Sequence, residues 1–222
     1  MTNVNMTPEK VATRRGLFAF AERSLEREGW TVSRVARGGK ASLRQITKDG
    51  RSFLVSIRTS QDTWIAFPPK TNGPGWVTLD DVDFVVAVSV DDRDNPRIAR
   101  VHMIPGAVAR DAFDRAFAAR KAAGYTLPAG RGVWLSLYES EADTPVTLVG
   151  AGLGLSHKAI AVRDLTREPL VEEAESDAAA AEPVQESTPA PFAGPLSIAE
   201  AKRLLAQSLG IPESAIRITI EH

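Results

Sequence analysis

The sequence predicts an α/β (α+β) protein in which helices flank a mixed central sheet. Two β-rich runs, 41–48 and 52–59, are joined by Asp49-Gly50, and an Asp-Gly pair between such runs is typical of a hairpin because both residues tolerate a positive φ. The run 83–90 is the most continuously apolar in the chain, which indicates a strand covered on both faces. Apolar residues also recur at helical spacing before and after these strands, so we expect helices packed on the sheet.

The first helix is expected to begin at Pro8, after a threonine that caps it, and to continue to about residue 28. A hydroxyl residue followed by proline suits a helix start, because the hydroxyl accepts from a free N–H group and proline has none to satisfy. Gly29 is expected to end the helix, with Trp30 packing back on it at the start of a short strand, 30–35.

The later elements are predicted from the same periodicities. They are strands at 64–67, 97–104 and 133–138 and a helix from Pro105-Gly106 to Gly124. The glycine-rich run 150–154 has GxGxG spacing. We interpret it as a flexible connection, because no second strand is evident after it to complete a βαβ unit.

The chain is predicted to comprise an α/β domain, 1–168, a disordered linker, 169–195, and a helix-strand module, 196–222. The linker has six acidic residues, no Lys or Arg, and much Ala and Pro, a composition that buries too little apolar surface to fold. The module is too small to maintain a core alone, so we expect it to dock on this protein, a second copy or another protein. Its predicted partner-binding residues are Leu196, Ile198, Leu205, Leu209, Ile216, Ile218 and Ile220.

Composition excludes several kinds of site. The chain has no cysteine, which rules out disulfides and thiolate metal sites, and its three histidines have no ligand-like spacing. No apolar run reaches the roughly 20 residues of a membrane span. We therefore expect a cytoplasmic protein with no membrane, metal or cofactor partner.

The N-terminal quarter is basic. Residues 1–60 contain 12 Lys and Arg against 5 Asp and Glu, and a basic surface of this kind attracts anions such as nucleic-acid phosphates. A loop with two glycines between Arg37 and Lys40 would also permit close approach to a phosphate. The candidate residues for binding DNA or RNA are Arg34, Arg37, Lys40, Arg44, Arg58 and Thr59.

The order of elements over about 7–124 resembles the core of the PD-(D/E)XK nuclease superfamily, in particular its small resolvase-like and restriction-like members. The likeness rests on a helix ending in Gly29-Trp30, a hairpin whose second arm ends in a charged residue and Thr-Ser, the run DFVVAV, and a strand ending in Ile-Pro. It implies a restriction-endonuclease-like sheet. In active relatives, an aspartate on the first hairpin arm and an acid and a lysine on the second hold a divalent ion.

The positions that match those three residues are Ser42, Ser56 and Arg58. Hydroxyls are poor substitutes for the carboxylates that Mg²⁺ prefers, and a guanidinium is too basic to exchange protons at neutral pH. The resemblance therefore implies a non-catalytic protein in which Arg58 and Thr59 bind a phosphate.

Three alternatives remain open. Arg58 would have only a structural role if it paired with Asp80 or Asp83. A metal site moved to other carboxylates, with Glu22 or Asp83 essential, would make the protein an active Mg²⁺-dependent nuclease. Without nucleic-acid binding, the protein would be an assembly subunit that uses its C-terminal module.

Overall fold

A computed structural model of the chain describes residues 8–35, 42–127 and 131–170. The described residues all belong to one compact unit of the chain. Its elements are α1 (Pro8–Arg27), β1 (Thr31–Arg34), β2 (Leu43–Lys48), β3 (Arg51–Ser60), β4 (Trp64–Phe67), β5 (Phe84–Val90), β6 (Ile98–Pro105), α2 (Gly106–Ala122), β7 (Val133–Ser136), α3 (Leu153–Ser156) and β8 (Ala159–Asp164).

The central sheet is mixed, as the sequence predicts. Among the described residues, six strands form it in the order β1-β2-β3-β5-β6-β8, and β4 pairs with β7 in a second, two-stranded sheet. Only β3 and β5 pair in parallel within the described sheet. The predicted hairpin is confirmed, with Lys48 opposite Arg51 and positive φ angles of 51° at Asp49 and 73° at Gly50.

Both faces of the sheet are covered, which confirms the prediction for β5. On one face α1 packs Leu17, Phe18 and Leu25 against alternate strand residues such as Val55 and Val86, and we call this the α1 core. On the other face, α2 and the β4–β7 pair bury a second cluster, the α2 core. Its aromatic members are Phe67, Trp76 and Phe113.

Side chains alternate between the two cores along β3. Val55 and Ile57 lie in the α1 core. Ser56 and Arg58 point the opposite way, because successive strand residues face opposite sides. The register agrees, since Ser56 pairs with Leu43 and Val85, which both pack in the α2 core.

The region after residue 145 differs from the prediction. The glycine-rich run is not a flexible connection: Ala151, Leu153 and Gly154 are buried, and a Cβ at Gly150 would lie 2.3 Å from the Ala112 carbonyl oxygen. A strand that we did not predict, β8, follows the run and pairs antiparallel with β6.

The described part of the chain extends two residues into the predicted linker. Leu170, which we assigned to the linker, packs in the α1 core, where a Cβ on Gly16 would lie 2.7 Å from its own Cβ. The rest of the predicted linker and the helix-strand module lie outside the described residues. Within the described part, the helices are too short or too polar to cross a membrane.

Candidate functional site

Arg44 is a buried residue of the α1 core. It is 5% exposed, its Nε donates to Glu22 Oε1 at 2.6 Å, and its guanidinium lies 4.7 Å from the centroid of the Phe18 ring. The alternation of β2 turns this side chain toward α1, where Glu22 neutralises its charge. The interpretation of Arg44 as a surface phosphate ligand is therefore corrected, and Glu22 is held in an ion pair.

Arg58 is half-buried, and its side chain faces the α2 core. Its guanidinium is 4.2 Å from the centroid of the Phe67 ring, and burial lowers the pKa of Arg58 to about 10, so the side chain stays protonated at neutral pH. The suggested ion pairs are not formed: Asp80 binds Lys70 at 2.8 Å, and Asp83 accepts from the Leu54 N–H. Arg58 is thus a cation on an aromatic ring beneath the β4–β7 pair, not a member of an exposed basic face.

The other predicted nucleic-acid residues are spread over the fold. Arg34 is exposed on β1, and Thr59 is half-buried and alternates to the face of β3 opposite Arg58. Arg37 and Lys40 lie outside the described residues, as do the seven predicted partner-binding residues of the C-terminal module.

The three positions matched to nuclease residues converge only in part. Ser56 and Arg58 share a face of β3. Ser42 lies opposite Ile57, since its carbonyl oxygen accepts from the Ile57 N–H, and the side chain of Ile57 faces the α1 core. Among the described residues, no group of three His, Cys, Asp or Glu side chains is placed to hold a metal ion.

A chain of hydrogen bonds links hydroxyls to an imidazole at the carboxyl ends of β3 and β5. Ser89 Oγ lies 2.8 Å from the Tyr138 hydroxyl, which lies 3.0 Å from His102 Nε2, and His102 Nδ1 lies 2.6 Å from the His157 carbonyl oxygen. A carbonyl oxygen can only accept, so Nδ1 carries the proton. Nε2 then accepts from Tyr138, and Tyr138 accepts from Ser89, which fixes the direction of every bond.

The electrostatics of this chain favour its neutral form. Burial lowers the pKa of His102, and Arg100 adds to the effect, so that together they outweigh the hydrogen bond to His157. Burial also raises the pKa of Tyr138, despite the Ser89 hydrogen bond and the nearby Arg100. A neutral imidazole beside a protonated phenol can pass a proton, but His102 and Ser89 are almost fully buried. The main role of this hydrogen-bond chain is therefore structural, as a polar link between strands.

Sequence reasoning missed this cluster. Its members lie on β5, on β6 and just after β7, far apart in sequence, and none belongs to a recognised spacing. The available signal was the serine inside the apolar run 83–90, because a polar residue in a strand buried on both faces requires a partner.

Stability is expected to fall as the pH is lowered below the ordinary histidine pKa of 6.5. The folded-state pKa of His102 is depressed, so the unfolded chain takes up the proton first, and the stability present above pH 6.5 is lost on acidification. Urea unfolding of the protein and of His102→Gln between pH 8 and about 5 measures this dependence. Parallel curves for the two proteins would contradict the assignment to His102.

A second site lies beside the hairpin, on the α1 side of the sheet. It is a cleft of about 480 Å³, which we call the aromatic–cationic cleft, lined by Trp30, Lys48, Asp49, Arg51, Phe53 and Phe84. The Phe53 ring meets those of Trp30 and Phe84 edge-on, with centroids 5.9 and 5.4 Å apart.

The cleft lies just beyond the C-terminal end of α1. The helix ends at Arg27, and Gly29, with φ of 85°, turns the chain so that Trp30 caps it. The three rings beyond this end remain half-buried. Lys48 Nζ lies 5.5 Å from the centroid of the Trp30 ring and donates to the Glu28 carbonyl oxygen at 2.6 Å, while Arg51 is exposed.

Comparison of the chain with protein-family models, with curated proteins and with solved structures found no match. The interpretation of both sites therefore depends on their geometry and chemistry.

Proposed function

We propose that this protein binds single-stranded nucleic acid without cleaving it, and that the aromatic–cationic cleft is the binding site. The observation that carries the proposal is the combination of three half-buried aromatic rings with Lys48 and Arg51 in one cleft. Proteins that bind single strands combine these two elements, because bases stack on aromatic side chains while cations contact the phosphates.

The roles within the cleft follow from the chemistry of its side chains. Trp30, Phe53 and Phe84 offer apolar surface to a base. Arg51 is exposed at the start of β3, and its planar guanidinium donates hydrogen bonds to a phosphate. Lys48 adds a second positive charge beside it. Asp49 places one carboxylate at the tip of the hairpin, so the lining keeps an excess of positive charge.

The same proposal has three further parts. The fold descends from a nuclease-like core, the protein is cytoplasmic, and the C-terminal module recruits a partner. Serines at the positions of the metal-binding carboxylates support the non-catalytic part. The assembly subunit and the active nuclease remain the alternatives, and the binding experiment below separates them from the proposed function.

Binding to a fluorescein-labelled oligothymidylate or oligouridylate is expected to weaken steeply between about 50 and about 200 mM salt, because phosphate contacts release counterions. Fluorescence anisotropy measures the affinity. Arg51→Ala is expected to reduce both the affinity and its salt dependence. Phe53→Leu, which keeps apolar volume but lacks an aromatic face, is expected to weaken binding about tenfold.

Arg97→Ala is the matched control, since Arg97 is exposed at the opposite end of the sheet and contributes only its backbone to the contacts described. It should bind as the unmodified protein does. An affinity that stays flat across the salt range, or equal losses in Phe53→Leu and Arg97→Ala, would refute the proposed function. Cleavage of the oligonucleotide on addition of Mg²⁺ would support the active nuclease instead.

A further inference from the structure

Arg58 has an uncompensated charge in the described part of the chain. No carboxylate there lies within 4.0 Å of its guanidinium, and its buried Nε has no hydrogen-bond partner. The Phe67 ring under the guanidinium offers a cation–π contact, which stabilises the charge but satisfies none of its N–H donors.

A second unsatisfied group lies beside it. Ser56, two residues earlier on the same face of β3, is fully buried, and its Oγ has no partner among the described residues. Its neighbours across the sheet, Leu43 and Val85, are apolar. Two unsatisfied donors on one side of a strand are uncommon, because buried polar groups in folded proteins are almost always hydrogen-bonded to protein, water or an ion.

The nearby groups cannot supply the missing negative charge. Asp62, which follows β3, accepts from Ser60 Oγ and the Trp64 N–H and also binds Arg93. Across the sheet, Arg58 is in register with Ala87, whose other neighbour is His102, a neutral imidazole in the hydrogen-bond chain. Neither Ala87 nor the neutral His102 therefore supplies a negative charge to Arg58.

We propose that Arg58 and Ser56 form a binding site for a small oxyanion, a phosphate or a carboxylate, on the face of β3 that is turned toward the α2 core. A guanidinium binds such anions through two parallel hydrogen bonds, and a serine hydroxyl adds a third donor. Phe67 of β4 lies against the guanidinium, so a small free anion suits this position better than the backbone of a nucleic-acid chain. The site faces away from the aromatic–cationic cleft, so either proposal can fail without the other.

Thermal unfolding in chloride buffer tests the site, with sodium phosphate, sodium acetate or sodium chloride added at matched ionic strength. The Tm of the unmodified protein is expected to rise with the concentration of one oxyanion, by about 5 °C at about 100 times the dissociation constant. A rise with phosphate alone identifies a phosphate site, and a rise with acetate alone identifies a carboxylate site. No rise beyond that in chloride would overturn the proposal.

Arg58→Met is the principal variant, because methionine keeps apolar contact with Phe67 and lacks charge and donors. It should lose the oxyanion response and, without added anion, unfold at the same temperature as the unmodified protein or higher, since it removes a partly buried charge that has no counter-ion among the described residues. Arg93→Met, which removes an exposed arginine at the same end of the sheet, should keep the full response. A marked loss of Tm in Arg58→Met without anion would assign the arginine a structural role and overturn the site.

Ser56→Ala provides an independent measurement of the same site. It removes one donor without altering the charge and should weaken the oxyanion response severalfold. An unchanged concentration dependence in Ser56→Ala would exclude Ser56 from the site, and a full response in Arg58→Met would exclude Arg58.

Discussion

Phe113→Ala is expected to lower the free energy of unfolding by about 3–5 kcal/mol, the range found when a large buried aromatic side chain is truncated in a core. Phe113 of α2 is fully buried. Its ring lies edge-on to Phe67, with centroids 5.2 Å apart, and 5.3 Å from the centroid of Trp76. Truncation therefore removes the apolar burial of one ring and two aromatic contacts, and leaves a cavity that the second sheet cannot fill.

Phe113→Ala is also expected to affect the Arg58 site, because the Phe113 ring packs against Phe67 and the Phe67 ring contacts the Arg58 guanidinium. Urea unfolding gives the stability of Phe113→Ala, and the oxyanion response of Tm reports on Arg58. Phe113→Leu, which conserves most of the volume, should lose no more than about 1.5 kcal/mol. Trp134→Ala, at an exposed aromatic on β7, should change stability by about 0.5 kcal/mol or less. Equal losses in Trp134→Ala and Phe113→Ala would contradict the central position of Phe113.

Tyr138→Phe is expected to lower the free energy of unfolding by about 2–3 kcal/mol, although it removes a single oxygen atom. The hydroxyl accepts from Ser89 and donates to His102. Its loss leaves a buried hydroxyl without an acceptor and a buried imidazole nitrogen without a donor, and each such group loses the hydrogen bond that it would make to water in the unfolded chain.

A double-mutant cycle tests the coupling within the hydrogen-bond chain. Tyr138→Phe should be less destabilising in a Ser89→Ala background, because no hydroxyl then remains to be satisfied. Tyr125→Phe, at an exposed tyrosine, is the matched control and should leave stability almost unchanged. Strictly additive losses for Tyr138→Phe and Ser89→Ala would show that the two hydroxyls do not act together.

Most elements were predictable because their signals are local. Asp49-Gly50 forms the hairpin turn that its backbone preferences predict, and Gly29 ends α1 with a positive φ. Residues 85–90 of the apolar run are buried, as its apolarity indicates.

β8 was not predictable in the same way. Its sequence, AIAVRD, is short and ends in charged residues, and nothing within it marks a strand. The segment forms a strand because its backbone pairs with the free edge of β6. Such pairing depends on a distant segment rather than on the strand's own residues.

The chain by itself determined the hairpin, α1, α2 and the fact that arginines occur on β2 and β3. Only the tertiary structure decided what those arginines do, since a side chain on a strand faces one of two sides and its environment depends on the layer that covers that side. Here both sides are covered. Arg44 therefore meets Glu22 beneath α1, Arg58 meets the ring of Phe67 beneath the second sheet, and the exposed cations beside aromatic rings lie instead where α1 ends short of the hairpin.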